Sequence, residues 1–149
     1  MRSVVQRVSR AKVAVNGEIT GEIGRGLLVL LGVTHTDDNS DADYLIDKIV
    51  NLRIFDDAEG KMNLSLTDIQ GELLVVSQFT LYGDTRRGRR PSFIAAAPSG
   101  DALRWYEYFV VRAGERINKV ATGRFGAMMD VELTGDGPFT IILDSEKTI

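Results

Sequence analysis

The chain contains no cysteine and a single histidine, His35, among its 149 residues. Without cysteine there can be no disulfide framework and no thiolate nucleophile. A catalytic zinc ion needs three protein ligands, and one histidine without cysteine cannot supply them from His and Cys. A Ser-His-Asp triad would have to use His35, which lies between two threonines in a predicted loop. We therefore expect a protein that works without a metal or cofactor, and we expect His35 to be a surface residue.

Long apolar stretches are also absent. The longest uncharged apolar run, from Gly26 to Thr34, is far too short to span a bilayer, and residues 1–10 lack the apolar block of a signal peptide. No Walker-type or dinucleotide-binding glycine pattern occurs in a strand–helix context. The acidic turn at 55–60 lacks the length and carboxylate spacing of a calcium loop. These absences predict a cytoplasmic protein that is not a kinase, a dehydrogenase or a metalloenzyme.

The chain does contain enough apolar sequence for one globular domain. Hydrophobic residues make up 44% and charged residues 26% of the chain, and its length fits a single domain spanning 1–149. The formal net charge of −3 argues against indiscriminate binding to nucleic acid. It does not exclude a local basic patch.

Apolar patterning predicts strands in the N-terminal third and near the C-terminus. Alternating residues occur within 4–15, and residues 18–20 would form the returning strand of a hairpin. Asn16-Gly17 suits the tight turn between them, because both central residues of such a turn adopt positive φ. Further strands are predicted at 26–33, 73–81, 124–133 and 139–143, with a tight turn at 135–138.

Two amphipathic helices are predicted between these strands. The first follows a cap at Asn39 or Ser40 and buries a stripe that includes Leu45 and Ile49. The second follows Ser99, and its apolar residues step by three and four: Leu103, Tyr106, Val110, Ala113 and Ile117. The order βββ–α–β–α–ββ predicts one α+β domain. Its sheet would be mostly antiparallel or mixed and barrel-like, with both helices packed against it.

Two polar clusters lie where predicted strands end, and each has an ordinary structural interpretation beside the functional one. In Ser77-Gln78-Phe79-Thr80, a strand would place Ser77 and Phe79 on one face and Gln78 and Thr80 on the other. These hydroxyl groups could simply satisfy backbone groups at a fraying edge. The second cluster, GDGPFT at 135–140, could be an ordinary β-turn. It could also be a rigid turn with a cis peptide and outward-pointing main-chain groups.

The densest positive charge directly follows the first cluster. Arg86, Arg87, Arg89 and Arg90 surround one glycine, and each guanidinium offers a fork of donors that suits phosphate. Runs of charge are usually solvated loops. In an acidic chain, however, this concentration favours a site for a bound polyanion beside residues 77–80.

Four segments resemble the D-aminoacyl-tRNA deacylase family of bacteria and eukaryotes, and the similarity extends across essentially the whole chain. They are SQFTLYG at 77–83, RRPSF at 89–93, FGAMMDV at 125–131 and GDGPFT at 135–140. The resemblance implies a homodimer that hydrolyses the ester between tRNA and a D-amino acid or glycine. Such an enzyme protects translation by rejecting L-aminoacyl esters. Met128 and the extra arginines depart from the family pattern, which bears on substrate affinity.

The resemblance also implies roles for individual residues. Residues 77–80 would form the pocket for the tRNA 3′ adenosine and the aminoacyl group. Gly137 and Pro138 of the partner subunit, joined by a cis peptide, would complete it and leave no room for an L side chain. The residues that would line the pocket are Phe125 and Met129, with Ala95 or Ala96 opposite. The tRNA phosphates would be held by Arg86, Arg87, Arg89 and Arg90.

An aminoacyl ester is already activated, so positioned water, backbone N–H donors and the ribose hydroxyl could suffice for hydrolysis. We favour Ser77 and Thr80 as positioning groups and the N–H of Phe79 or Thr80 as the oxyanion donor. A nucleophilic role for Thr80 stays open, although no base that could remove its proton is identifiable nearby. A non-catalytic RNA-binding domain that uses the arginine loop is the alternative from another class. A third hypothesis is a hydrolase of a small ester or amide.

Overall fold

The structure, a computed structural model, describes residues 1–149. Its elements are β1 (Arg2–Val15), β2 (Glu18–Ile23), β3 (Gly26–Gly32), α1 (Asn39–Asn51), β4 (Phe55–Asp56), β5 (Met62–Leu64), β6 (Glu72–Ser77), a 3-10 helix (Phe79–Tyr82), α2 (Ser99–Gly114), β7 (Val120–Thr122) and β8 (Asp130–Asp144). The predicted α+β fold with a mixed, barrel-like sheet and two helices is confirmed. No helix has both the length and the apolar composition needed to cross a membrane.

The long strand β1 organises the main sheet. Along one edge it pairs antiparallel with β3 and then with β2, and along its other edge it pairs antiparallel with β8. β6 adds to β3 in parallel, and β7 adds to β6 in parallel. The turn between β1 and β2 is the predicted one, because Asn16 and Gly17 have φ of 50° and 83°. β4 and β5 form a separate two-stranded hairpin.

The sheet curls until β2 approaches β7, so the barrel is nearly closed. The Thr20 hydroxyl donates to the Thr122 carbonyl oxygen at 3.4 Å. Gly21 faces the same backbone, and a Cβ at this position would come within 2.3 Å of the Thr122 oxygen. Only glycine permits two strands to approach this closely.

Both faces of the central strands are buried. Alternate residues of β6 belong to two different core clusters: Leu73 and Val75 to the larger one, which the helices cover, and Leu74 and Val76 to the smaller one. A strand buried on both faces is apolar at nearly every position. This explains why β3 and β6 were recognisable as buried strands from the sequence.

Helix α1 begins at Asn39, and its cap is Asp38 rather than the predicted Asn39 or Ser40. The Asp38 carboxylate accepts from the Ser40 N–H at 2.8 Å, and the Asp41 carboxylate accepts from the Asp38 N–H at 2.9 Å. This capping box satisfies N–H groups that have no acceptor within the first turn. The prediction failed because every residue from 37 to 41 is a favourable cap.

Helix α2 packs on the sheet through a stripe that differs in part from the predicted one. Leu103 and Val110 are only half-buried, and Ile117 is buried beyond the end of the helix. These residues lie beside the true stripe and share its spacing, so periodicity alone could not separate the two. The buried residues of the helix are Ala102, Tyr106, Phe109 and Ala113.

Three predicted elements next to the polar clusters are wrong. β6 ends at Ser77 because the chain turns into the 3-10 helix, where the Leu81 N–H donates to the Gln78 carbonyl. The strand predicted at 124–133 begins only at Asp130, because a turn with positive φ at Gly126 precedes it. The tight turn predicted at 135–138 is an irregular part of β8: residues 136–139 have no partner in the register, and pairing with β1 resumes at Thr140.

Candidate active site

The first polar cluster lies at the carboxyl end of β6. The Gln78 N–H donates to the Leu31 carbonyl at 2.8 Å, so the chain leaves the sheet beside the end of β3. Phe79 and Thr80 beyond it are exposed. The predicted alternation of faces from Ser77 to Thr80 is wrong, because the strand stops at Ser77. The turn instead brings two side chains together, and the Gln78 amide Nε2 donates to Thr80 Oγ1.

The main chain at the start of the 3-10 helix presents N–H donors. The first N–H groups of a helix have no acceptor within that helix, and no side chain caps this one. The N–H groups of Phe79 and Thr80 occupy these positions. They remain available to a ligand, as an oxyanion donor must be.

The loop at 83–98 is closed at its base. Asp84 and Ser92 exchange backbone hydrogen bonds of 2.8 and 2.9 Å. Just beyond this bridge, the Phe93 ring packs edge-on against the Phe79 ring, with 5.1 Å between the ring centroids. The loop that carries the arginines is therefore attached to the polar cluster by an aromatic contact.

The four arginines of this loop are not equivalent. Arg86 forms a two-pronged ion pair with Asp84, with Nε 2.9 Å from Oδ1 and Nη2 2.6 Å from Oδ2. These bonds, together with one from the Arg86 N–H, hold the pKa of Asp84 well below its usual range. Arg87, Arg89 and Arg90 are exposed and have no carboxylate within ion-pair distance. The free positive charge of the loop therefore lies on these three residues.

The segment that carries Ala95 and Ala96 is fastened to the chain after β3. The Thr34 hydroxyl donates to the Ala95 carbonyl at 2.6 Å, and Thr34 forms a backbone bridge with Ala96. His35 is exposed, and its Nε2 donates to the Ile94 carbonyl at 2.7 Å. The single histidine therefore bonds to the main chain rather than to a serine or threonine hydroxyl. These contacts fix the segment next to the Phe79–Phe93 pair.

Phe125 and Met129 pack against different core clusters. The Phe125 ring lies 5.8 Å from that of Tyr106 and packs against the larger cluster. Burial raises the pKa of Tyr106 to about 12, and its hydroxyl donates to the Val75 carbonyl at 2.8 Å. Met129 packs against the smaller cluster. Phe125 thus lies near the carboxyl end of β6, whereas Met129 lies on the other core cluster.

Gly137 and Pro138 lie in the irregular segment of β8. Their peptide bond is cis, and Gly137 has φ of 139°. The strand registers set Ser77 level with Ser3 of β1, whereas Gly137 and Pro138 lie opposite Arg7. The distance from Ser3 to Arg7 is about 13 Å along the strand, and β1 and β3 lie between β8 and β6. Within one chain the two polar clusters therefore do not meet.

Arg7 is the main contact of this segment that sequence analysis missed. Its side chain is 12% exposed, its Nε donates to the Asp136 carbonyl at 3.0 Å, and its Nη1 donates to the Ile54 carbonyl at 2.6 Å. The guanidinium also lies 5.0 Å from the centre of the Phe139 ring. A lone arginine in a strand carries no motif, and its partners are distant along the chain. Arg7 holds residues 136–139 in place.

Polar groups rather than metal ligands surround the first cluster. No three His, Cys, Asp or Glu side chains converge as a metal site would require. A groove of about 520 Å³ borders the arginine loop and is lined in part by Arg2, Tyr82 and Glu146. Tyr82 is buried, its hydroxyl has no protein partner, and burial raises its pKa. The cluster itself presents hydroxyls, one amide and main-chain N–H groups.

The sequence matches known proteins along its whole length. A protein family described as D-Tyr-tRNA(Tyr) deacylase matches residues 4–144. The D-aminoacyl-tRNA deacylase of Thermosipho melanesiensis is 62% identical over 148 residues, which cover 99% of each chain. The D-aminoacyl-tRNA deacylase of Clostridioides difficile is 63% identical over 148 residues and again 99% of each chain.

Two solved structures resemble this fold. One is described as c-Myc DNA Unwinding Element Binding Protein; it is 42% identical with a TM-score of 0.92, over 97% of this chain and 98% of that chain. The other is described as a probable eukaryotic D-amino acid tRNA deacylase. It has a TM-score of 0.80 at 20% identity, over 96% of this chain and 98% of that chain. At that identity the likeness concerns the fold alone.

Proposed function

The chain belongs to the D-Tyr-tRNA(Tyr) deacylase family, and from this membership we propose that it hydrolyses the ester bond of D-aminoacyl-tRNA. The products are tRNA and the free D-amino acid. The observation that carries the proposal is the 62% identity to a D-aminoacyl-tRNA deacylase along 99% of both chains. The reaction would clear mischarged tRNA before translation uses it, so the proposed location is the cytoplasm.

The pocket at Ser77–Thr80 is the proposed reaction centre. Water attacks the ester carbonyl and loses a proton, and the N–H groups of Phe79 and Thr80 donate to the oxygen that becomes negative. The bond to the ribose oxygen then breaks, and that oxygen takes up a proton to become a hydroxyl. Positioning supplies much of the rate, because the ester and the neighbouring ribose hydroxyl are already reactive. Thr80 Oγ1 accepts its hydrogen bond from the Gln78 amide, which cannot act as a general base. This contact supports Thr80 as a positioning group rather than a nucleophile.

We assign the rejection of L-aminoacyl esters to Gly137 and Pro138 of the partner subunit. The registers that separate this segment from Ser77 within one protomer support the assignment, because a second copy would have to bring it to the pocket. Arg7 restrains the segment, which suits a device that excludes a side chain by steric clash. A glycine ester has no side chain to exclude, so glycyl-tRNA belongs to the proposed substrate range.

The outer edge of β8 supports a homodimer. β8 is a 15-residue strand that pairs only with β1, so its other edge has no partner. An unpaired edge of this length is a template for another chain. Leu133 and Ile142 of β8 are 40% and 53% exposed and would be buried in such an interface. Two-fold pairing there would place Gly137 and Pro138 at the boundary between protomers.

The geometry supports the roles proposed for the other pocket and tRNA-binding residues to different degrees. Ala95, Ala96 and Phe125 are proposed walls of the pocket, because each lies near the sheet edge where β6 ends. Met129 packs on the smaller cluster, so its role stays a prediction from the resemblance. We propose that the tRNA phosphates contact Arg87, Arg89 and Arg90. Arg86 instead orders the loop through its ion pair with Asp84.

A nucleic-acid-binding domain without catalysis is the second candidate. It is favoured by the exposed arginines and by the 42% identical structure described as a DNA unwinding element binding protein. Such a protein would bind tRNA in a salt-dependent manner and would turn over no ester.

Incubation of the purified protein with D-Tyr-tRNA and with L-Tyr-tRNA tests the proposed function. We expect the D-ester to be cleaved well above its rate in buffer and the L-ester to persist at the buffer rate. If neither ester is cleaved, the binding domain becomes the better interpretation. If a free D-aminoacyl ester without RNA reacts as fast as D-Tyr-tRNA, the protein is a hydrolase of small esters.

A further inference from the structure

An exposed apolar patch extends outward from the proposed pocket. Phe79, Phe93 and Ile94 are 54%, 38% and 84% exposed, and the two rings are in edge-to-face contact. The proposed reaction uses the main chain of Phe79 but none of these three side chains. Ile94 follows Phe93 in the chain, and several exposed apolar side chains in one region mark a binding site more often than a single one does.

Main-chain contacts hold the patch in place. The His35 ring donates to the Ile94 carbonyl at 2.7 Å, and the Thr34 hydroxyl donates to the Ala95 carbonyl at 2.6 Å. On the other side of Ile94, the Phe93 carbonyl accepts from the Ala96 N–H at 3.0 Å, so the backbone is fixed on both sides of the Ile94 side chain. The side chain points to solvent from a rigid support, so the patch is preorganised for a ligand.

The charges beside the patch indicate the class of ligand. Three arginines, Arg87, Arg89 and Arg90, lie three to six residues before Phe93 in the chain, and no carboxylate neutralises them. The Asp84–Ser92 bridge closes their loop next to the patch. Apolar and aromatic side chains flanked by free guanidinium groups are typical of sites for single-stranded nucleic acid. There the bases lie on the apolar surface and the arginines contact phosphates.

We propose that Phe79, Phe93 and Ile94 form a platform for the unpaired bases that precede the terminal adenosine of tRNA, with the loop arginines on their phosphates. This inference rests on the proposed function, because the ester in the pocket fixes where the RNA 3′ end lies. The last nucleotides of tRNA are single-stranded, so their bases are free to lie on the platform. Duplex RNA would contact the arginines through phosphates alone and would leave Ile94 uncovered.

Two uncharged tRNAs that both lack the terminal adenosine test the platform apart from catalysis and from the adenosine pocket. One keeps the preceding unpaired nucleotides (intact tRNA below), and the other is trimmed of two of them (trimmed tRNA below). We expect the wild-type protein to bind intact tRNA more tightly. Ile94→Ala and Phe93→Ala should each weaken binding of intact tRNA at least about fivefold and leave binding of trimmed tRNA unchanged. Val111→Ala is the matched control, because it truncates a side chain that is 66% exposed on α2; it should bind both RNAs as the wild type does.

Three results would overturn the platform. The first is equal binding of intact and trimmed tRNA by the wild-type protein, and the second is an equal loss for both RNAs in Ile94→Ala and Phe93→Ala. The third is a changed oligomeric state of Ile94→Ala in sedimentation, which would make the patch an interface between proteins. Measuring deacylation of D-Tyr-tRNA by the same preparations distinguishes a failure of the platform from a failure of the proposed function. Absent turnover with binding that depends on the 3′ end would refute the proposed function and support the platform.

Discussion

At the residue scale, the hydrogen bonds around Thr80 decide how its hydroxyl can take part in the reaction. A threonine nucleophile needs a base that removes its proton. The partner of Thr80 Oγ1 is the Gln78 side-chain amide, which donates a proton instead of accepting one. The adjacent N–H groups of Phe79 and Thr80 can stabilise negative charge without any ionisable side chain. The chemistry proposed for this site therefore depends on orientation.

Thr80→Val removes the hydroxyl and keeps the shape of the side chain. We expect the single-turnover rate on D-Tyr-tRNA to fall only about tenfold, the effect of one lost neutral hydrogen bond. Thr85→Val, in the exposed arginine loop, is the control and should react at the wild-type rate. Background activity in Thr80→Val together with full activity in Thr80→Ser would identify Thr80 as a nucleophile after all.

At the scale of elements, the arginine loop and helix α2 are each tied to the end of β6 by a few specific contacts. The loop is attached through the Phe79–Phe93 pair, and the helix through the bond from Tyr106 to the Val75 carbonyl. The loop keeps its position without extensive burial, whereas α2 also buries Ala102, Tyr106, Phe109 and Ala113 in the core. The contribution of each contact can be measured by removing one group at a time.

Replacing Arg87, Arg89 and Arg90 together by glutamine should weaken tRNA binding and its dependence on salt. We expect the slope of log K against log salt concentration to fall in magnitude by about 2 to 3, since each lost phosphate contact removes about 0.7 to 0.9. Arg86→Gln is the contrast, because Asp84 already neutralises that charge. The salt slope measured for this variant should change by less than about 1. Equal effects of the two changes would mean that RNA displaces Asp84 from Arg86.

Tyr106→Phe removes the hydroxyl that donates to the Val75 carbonyl and retains the packed ring. We expect the free energy of unfolding to fall by about 1 to 2 kcal/mol, because a buried carbonyl loses its best donor. Urea denaturation measures the change. Tyr108→Phe is the control, since the Tyr108 hydroxyl donates to the Asp43 carboxylate in a half-exposed setting and should contribute less. A loss no larger than that of Tyr108→Phe would contradict the prediction.

At the scale of the whole molecule, two features support the proposed site between two copies of the chain. They are the separation of the two polar clusters and the free edge of β8. One protomer keeps Gly137 and Pro138 away from Ser77, because the strands between them fix the distance. The same β8 that carries Gly137 and Pro138 has an unpaired edge. The proposed site, shared between two copies of the chain, would use both features at once.

Mixed dimers of two variants that we expect to be inactive test the proposed sharing of the site. Ala95→Trp should fill the pocket of its own chain. Gly137→Val should distort the donated segment, because Gly137 has φ of 139° and a Cβ there would lie 2.7 Å from the Phe139 nitrogen. In a mixed dimer one site receives both defects and the other receives neither. Equal coexpression should therefore restore about a quarter of the wild-type deacylation rate. Mixed dimers as inactive as their parents would show that the segment does not act across the interface.

The sequence by itself determined the features that depend on neighbouring residues. The hairpin at Asn16-Gly17, the apolar strands β3 and β6 and the existence of both helices follow from φ preferences and from periodic burial. The family was recognisable from short motifs for the same reason, since the SQFT and GP segments are contiguous in the chain. Each of these signals is contained within a few residues.

Only the tertiary structure decided the features that depend on partners distant in the chain. β6 ends at Ser77 because Gln78 meets the carbonyl of Leu31, and β8 resumes its pairing at Thr140 because β1 lies beside it. Arg7 contacts residues that no local pattern relates to it. Hydrogen bonds between remote segments are satisfied only after the chain has folded, so these strand ends and contacts had no counterpart in the amino-acid pattern.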